Sequence, residues 1–590
     1  MNLQDIHSPA DVKKLDMAQL TDLAAQMRKA LIEKLSVTGG HVGPNLGVVE
    51  ATLAMHYVFD MPKDKIVYDV SHQSYVHKML TGRALAFTDP AHYDDVTGYT
   101  NPTESPDYDI FSLGHTSSSV ALAAGLAKQR DLKGISGKEE NIVCFIGDGS
   151  ITGGVALEGI DNVATLGSNY ILVFNDNQMS IAENHGGVYR DFDALRETNG
   201  TDPCNFFKAM GIEDYRYVPY GNDVEPLVKV FEEVKGIDHP VVVHIDTQKG
   251  EGYKPAEADR EDFHYSGPFD IATGEPAHIS KSENYADIFA SHMLSKIKAG
   301  EDVTVITAGT PGVLGFGPQE RAEAGRHFLD AGIAEQCAVG MAAGIARAGG
   351  RPVFGVMSTF LQRAYDQLEQ DVAVNRLPVV LNIFGGGLSA MVDETHLGWF
   401  DIAMVANLPG WVYLAPTCKE EYLAMLDWAI AQTDYPVAIR VPSRGVVTTG
   451  RTYPTDYSDL DAYMVERRGD KVAVIAAGDM LPLGAKTCDK LEEKGIKPTL
   501  INPRFLSGLD EQLLLELTKD HQLVITIEDG SLAGGWGESV ARFYGPMDMK
   551  VKCYGIDKQL RNRFDPAEVA RALHLTPDQI AADAQSLLNW

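Results

Sequence analysis

The chain has 590 residues, 44% of them apolar, and a formal net charge of −31. That length gives room for three or four domains with sizeable cores. The charge disfavours nucleic acid and anionic membrane as partners; it leaves open small anionic substrates, which a local cluster of Arg, Lys and His can attract. No run approaches the ~18 consecutive apolar residues that argue a membrane span. The first residues, Asn2 to Ser8, lack the basic and apolar regions of a signal peptide. The six cysteines form no CxxC and no metal spacing, so they read as free thiols in a reducing compartment, and a cytoplasmic location is expected.

Alternating strand and helix patterns predict an α/β chain of three doubly wound domains with mainly parallel sheets, over residues 1–275, 276–460 and 461–590. In the first block, the apolar runs 141–146 and 170–174 read as buried parallel strands, and 240–245 as a third. The polar stretch Gly267 to Pro276 reads as a linker. The second block opens with a helix near 284–299 and a strand over 303–307. An Ala/Gly-rich helix over 339–348 and strands over 352–357 and 378–384 follow. Strands over 471–476 and 523–527 mark the third block. There Gly534-Gly-Trp-Gly537 has the wrong spacing for a dinucleotide fingerprint and reads as a structural strand-to-helix turn.

Two strand ends carry chemistry. Gly147-Asp148-Gly149 follows the first strand and Asn175-Asp176-Asn177 the second. Asp148 and Asn177 offer oxygen ligands to one hard cation, and magnesium takes its remaining ligands from phosphate and water. Gly149 lets backbone approach a phosphate, and a helix starting near Thr152 would point its amides at the anion. This is the GDG…N pattern of enzymes that hold thiamine diphosphate through magnesium. The plainer reading is two turns of a kind found after strands in any α/β protein. Glu335, in Asp330-Ala-Gly-Ile-Ala-Glu335-Gln-Cys-Ala338, precedes the Ala/Gly-rich helix. A Glu there can be a surface residue favoured by the helix dipole, but its small apolar neighbours do not resemble a solvated face. A carboxylate in this position suits protonation of the coenzyme's aminopyrimidine ring.

Further blocks resemble the 1-deoxy-D-xylulose-5-phosphate synthase family. They are Thr38-Gly-Gly-His41, Asp69-Val-Ser-His72-Gln73, His77-Lys78 through Arg83, and Gly114-His115-Thr116-Ser117. Lys249-Gly-Glu-Gly-Tyr253 and Ser358-Thr-Phe360-Leu-Gln-Arg363 continue the likeness, which covers nearly the whole chain. The resemblance implies a thiamine diphosphate-dependent, transketolase-like homodimer that decarboxylates pyruvate and joins the two-carbon unit to glyceraldehyde 3-phosphate. It implies magnesium ligands in Asp148, Asn177 and the backbone carbonyl of Met179. Coenzyme contacts are expected from His72, Gly114, His115, Thr116, Gly149, Ser150 and Lys249, with Glu335 and Phe360 on the ring. His41, His72 and His396 are expected at the reacting groups, and His264 is a weaker candidate. Arg363 and Arg444 are expected on the substrate phosphate.

The chain departs from the family at the acceptor side. Met357 stands where a tyrosine is usual, and Gly385-Gly-Gly387 replaces a turn that usually carries a phosphate arginine. The glycines read as open space left by that arginine, and the expectation is weaker selection of the acceptor phosphate. Cys337 stands where a histidine is frequent, an extra residue lies before Arg444, and the segment after Ile181 is short. Two other readings stay open: a transketolase-like enzyme for another ketose or sugar phosphate, and a coenzyme-binding protein without turnover.

Overall fold

The computed structural model describes residues 2–279 and 282–588. The chain divides into two compact units, Met1–Lys281 with Gly332–Ala334, and Ser282–Ala331 with Glu335–Trp590.

The first unit is built on a parallel sheet of β1 (Lys65–Tyr68), β2 (Ile142–Gly147), β3 (Tyr170–Asp176), β4 (Asp214–Val218) and β5 (Pro240–Asp246), in the order β1-β2-β3-β5-β4. All seven residues of β3 are buried, as expected for a strand covered by helices on both faces. The helices Met17–Thr38, Val49–Val58 and Val224–Val234 contribute apolar residues to one core, and Ser119–Leu132 and Gly154–Val163 to another.

The stretch Gly267 to Pro276 is not a free linker. The Phe269 ring is buried against Tyr253 and Phe263, with centroids 5.8 and 5.4 Å away. The Phe269 N–H also donates to Ser36 O at 2.9 Å. A polar composition hid one aromatic anchor, and burying that ring fastens the segment to the first unit.

The second unit holds two sheets. One is wholly parallel and comprises β6 (Val303–Thr307), β7 (Phe328–Asp330), β8 (Arg351–Met357), β9 (Val380–Phe384), β10 (Val412–Leu414) and β11 (Val437–Arg440), in the order β10-β11-β9-β8-β6-β7. The other comprises β12 (Met464–Arg467), β13 (Lys471–Ala476), β14 (Thr499–Asn502), β15 (His521–Ser531) and β16 (Lys550–Ile556), in the order β12-β14-β13-β15-β16, with β12 antiparallel. The helix expected near 284–299 runs Tyr285–Lys298, with the Asn284 side chain accepting from Asp287 N. The Ala/Gly-rich helix begins earlier than the sequence pattern suggested, at Glu335 itself, and ends at Arg347. Within β15, the Glu528 carboxylate accepts from Trp536 N and Gly537 N, at 3.2 and 2.8 Å. The chain's own carboxylate occupies the anion position at the start of the helix Trp536–Tyr544, so Gly534–Gly537 is a structural turn.

Candidate active site

In open parallel sheets, ligands bind outside the carboxyl ends of the strands. Asp148 follows β2 and Asn177 follows β3 at that end of the first sheet. Asp148 is buried, and its Oδ2 accepts from Met179 N at 2.9 Å and Asn184 Nδ2 at 2.7 Å. The Asn177 Oδ1 accepts from the same Met179 N at 3.2 Å. Asp148 opens a short helical turn, Asp148–Ile151, and a second helix starts at Gly154, so the expected single helix near Thr152 is split. A Cβ on Gly149 would lie 2.7 Å from Ser180 Cβ; only glycine allows that backbone approach.

Burial pushes the Asp148 carboxyl well above its usual range, and the nearby Asp176 carboxylate adds to the shift. A divalent cation bound here would add positive charge beside that carboxylate. The donor set is one carboxylate, one amide and backbone, which suits magnesium. Among the described residues no group of three or more His, Cys, Asp or Glu side chains is arranged for a metal. Lys249 is buried nearby, with its Nζ donating to Ser180 O at 2.7 Å. Burial lowers its pKa to about 7, although Asp148 opposes the shift. A lysine so desolvated gains from an anionic partner. Gly114 is buried, and His115 and Thr116 are half-buried on the loop before the helix Ser119–Leu132. Ser150 O accepts from the Ser117 hydroxyl at 2.8 Å.

A cluster of imidazoles lies in the same unit. The His41 ring centroid is 4.9 Å from that of His72 and 5.7 Å from that of His264, and His72 stacks on His264 at 5.5 Å. Tyr99 and Tyr265 flank His41 at 5.9 and 5.0 Å. Asn45, fully buried, donates from Nδ2 to the backbone carbonyls of both His41 and His72 at 2.8 Å. Burial holds His264 well below the usual histidine range, with Lys249, His72 and His41 adding to it, so this imidazole is neutral near pH 7. Val70 and Ser71, just before His72, have φ of 57° and 63°, and Ser117 and Gln178 in the loops around Asp148 and Asn177 have φ of 75° and 65°, a left-handed region that a β-branched residue such as Val70 avoids.

In the second unit, Glu335 is the first residue of its helix and is buried. Burial raises its pKa, while Arg363 opposes that shift. Its Oε2 faces Arg363 Nη1 at 3.6 Å, too far for a hydrogen bond. That leaves a buried carboxyl oxygen able to take a ring N–H. The Phe360 and His396 rings meet edge to face at 5.6 Å. Burial lowers the His396 pKa, and its Nδ1 is 2.8 Å from the Thr395 hydroxyl.

With this geometry, the comparisons with known proteins are decisive. Residues 3–204 match the family profile described as 1-deoxy-D-xylulose-5-phosphate synthase, 281–447 the transketolase pyrimidine binding domain, and 461–580 the transketolase C-terminal domain. The 1-deoxy-D-xylulose-5-phosphate synthase of Symbiobacterium thermophilum is 38% identical, over 100% of this chain and 95% of the relative. That of Shouchella clausii is 37% identical over 100% and 99%. Synthase 1 of Geobacter sulfurreducens is 37% identical over 99% and 97%.

The chain belongs to the 1-deoxy-D-xylulose-5-phosphate synthase family.

As a member it is an enzyme, a thiamine diphosphate-dependent transferase with the synthase function of that family, acting on small molecules. No helix among the described residues is long and apolar enough to cross a membrane.

Within the family fold, the glycine turn after β9 needs a correction. It is not open space. A Cβ on Gly386 would lie 3.0 Å from the Arg440 guanidinium, and one on Gly387 would lie 1.9 Å from Asp529 Oδ2. Arg440 is buried between Asp401 and Asp529; its Nε donates to Asp401 Oδ2 at 2.7 Å and its Nη1 to Asp529 Oδ1 at 2.5 Å. The Tyr413 hydroxyl donates to Asp401 Oδ2 at 2.6 Å. This network fills the volume under the turn. Only Gly385 has room, its nearest neighbour being Met357 Cε at 3.4 Å, but its φ of 66° strains any other residue.

Arg444 is exposed, and its Nη1 turns to the Met480 sulfur at 3.1 Å rather than joining Arg363 and Glu335. Sequence reasoning missed Asn45, Asn184 and Tyr189, whose hydroxyl donates to Asp148 O at 3.0 Å. Asn45 stood four residues after His41, and Asn184 seven after Asn177. Only spacing could have flagged them, because each acts on backbone or on another side chain.

Proposed function

We propose that this chain decarboxylates pyruvate and transfers the two-carbon unit to glyceraldehyde 3-phosphate, with magnesium held by Asp148, Asn177 and the Met179 carbonyl. The buried Asp148 carboxylate, its pKa raised by burial, beside the Asn177 amide carries the metal assignment. When bound, thiamine diphosphate supplies an acidic thiazolium carbon and an electron sink for decarboxylation.

The chain's own residues do the rest. Lys249, Gly149, Ser150, Gly114, His115 and Thr116 hold the diphosphate. Glu335 holds a proton at Oε2 against the aminopyrimidine ring, and burial, which raises its pKa, favours that protonated form. Phe360 provides the flat face for that ring. His41 and His72 present imidazoles to the pyruvate carboxylate and to the developing alkoxide; His264, kept neutral, donates or accepts a hydrogen bond without adding charge. His396, hydrogen-bonded to Thr395, is the histidine contributed by the loop after β9. Arg363 remains the candidate for the acceptor phosphate; Arg444 reaches that role only by leaving Met480.

We further infer three functional parts, at 1–275, 276–460 and 461–590, a cytoplasmic location and a homodimer, the commonest closed oligomer. The full-length likeness to synthases supports this reading over a transketolase-like one. The test is incubation with magnesium, thiamine diphosphate, pyruvate and D-glyceraldehyde 3-phosphate, with product identification by NMR and light scattering for the dimer.

A further inference from the structure

The parallel sheet of the second unit has a cavity at the amino-terminal ends of its strands, the end opposite to Met357 and Phe384. Its volume is about 320 Å³, and its charged lining residues are Arg347, Arg351 and Arg376. No Asp or Glu lines it; the other lining residues are apolar, glycine, Gln432 and Thr433.

The three arginines are placed by local structure. Arg347 ends the helix Glu335–Arg347, and Arg351 begins β8 after Gly349 and Gly350. Arg376 sits before β9 with φ of 51°, a left-handed backbone conformation. Arg351 Nη1 donates to Ala431 O at 2.9 Å and to Ile430 O. Arg347 Nη2 lies 3.4 Å from Asn375 O and Oδ1. Among the described residues, none of the three forms an ion pair with a carboxylate. Arg347 and Arg376 are exposed and Arg351 is half-buried, so in a chain of net charge −31 this open pocket is lined by three permanently charged arginines and no carboxylate.

We propose that this cavity is a binding site for a small phosphate-bearing anion, separate from the coenzyme and acceptor sites. A phosphate dianion offers enough oxygens to engage several guanidinium forks, which a single carboxylate does not. The cavity admits a phosphate with a few further atoms.

The position gives the site a consequence. The helix ending at Arg347 begins at Glu335. The strand beginning at Arg351 leads into Ser358–Phe360. The strand following Arg376 leads into Gly385. A 13-residue helix is about 20 Å long, so a bound anion touches none of the reacting groups. It ties together the far ends of three elements that present Glu335, Phe360 and the glycine turn.

The test titrates the full chain, saturated with magnesium and thiamine diphosphate, at constant ionic strength by calorimetry. Inorganic phosphate is used in one arm and glycerol 2-phosphate in the other. We expect saturable binding that Arg376→Ala and Arg347→Ala each weaken by about ten- to hundredfold, the cost of one charge-assisted contact, and that Arg376→Glu abolishes. Arg363→Ala should leave it unchanged. Tighter binding of inorganic phosphate makes the free ion the ligand; tighter binding of glycerol phosphate makes it a phosphorylated metabolite. The absence of saturable heat in both arms overturns the proposal. So does binding that is indifferent to both Arg376 and Arg347, or binding that Arg363→Ala removes. Synthase turnover is read separately, so an inactive enzyme that still binds phosphate here refutes the proposed activity and not this site.

Discussion

Arg363 Nη1 faces the buried Oε2 of Glu335 at 3.6 Å. The pairing sets two opposing influences on one carboxyl: burial raises its pKa and the guanidinium lowers it, with burial the larger. Glu335→Ala should therefore bind thiamine diphosphate yet slow exchange of the thiazolium proton by about 10²–10⁴-fold, the range for a lost general acid–base group. NMR exchange rates check this. Arg363→Ala should raise the Glu335 pKa further, because its neutralising charge is gone, and should also raise KM for the phosphorylated acceptor. Arg363→Lys should restore part of the exchange rate and less of the acceptor affinity, since lysine keeps the charge and loses the fork.

Lys249 gives a pH signature. Burial holds its ammonium at about 7 in the coenzyme-free protein. Because the folded pKa is depressed, the penalty on stability is absent at high pH, grows as pH falls below the unfolded value, and is complete below about 7. The anionic diphosphate favours the charged form, so binding above pH 7 takes up a proton and weakens as pH rises. Calorimetry in buffers of different ionisation enthalpy should show proton uptake at pH 8, and Lys249→Met should abolish it.

Removing the metal ligand has a sharper result. Asp148→Ala should eliminate magnesium-dependent coenzyme binding, because the remaining Asn177 amide and backbone carry no charge to anchor the cation and its diphosphate to the protein. Calorimetric affinity equal to wild type would show that the cation sits elsewhere.

The glycine turn answers to packing. Gly387→Ala places a methyl group on Asp529 Oδ2, which Arg440 pins in a buried pair. A loss of about 1–3 kcal/mol is expected from overpacking at this site, seen as a lower thermal midpoint. Gly385→Arg should not improve the acceptor's KM, since the left-handed backbone at φ 66° resists a side chain. A clear gain in affinity for the phosphate would contradict this.

Strand patterns were legible in the sequence because buried parallel strands read as apolar runs; Asp148 and Asn177 directly follow two of them, and Glu335 opens a helix. What was hidden depends on long-range contact. The Gly385–Gly387 run looked empty because its fillers, Arg440 and Asp529, lie far along the chain. The linker reading failed on the burial of Phe269 and its backbone bond to Ser36. His264 looked marginal in sequence, and only the fold stacks it on His72. Arg444 looked like a phosphate ligand by position, but position says nothing of a turn toward Met480.

The most direct measurement is a ¹³C NMR assay with labelled pyruvate, D-glyceraldehyde 3-phosphate, magnesium and thiamine diphosphate. The residues described here predict equimolar carbon dioxide and 1-deoxy-D-xylulose 5-phosphate, lost in Asp148→Ala and strongly slowed in Glu335→Ala. No carbon dioxide from pyruvate, together with ketol transfer from a sugar phosphate, would contradict it.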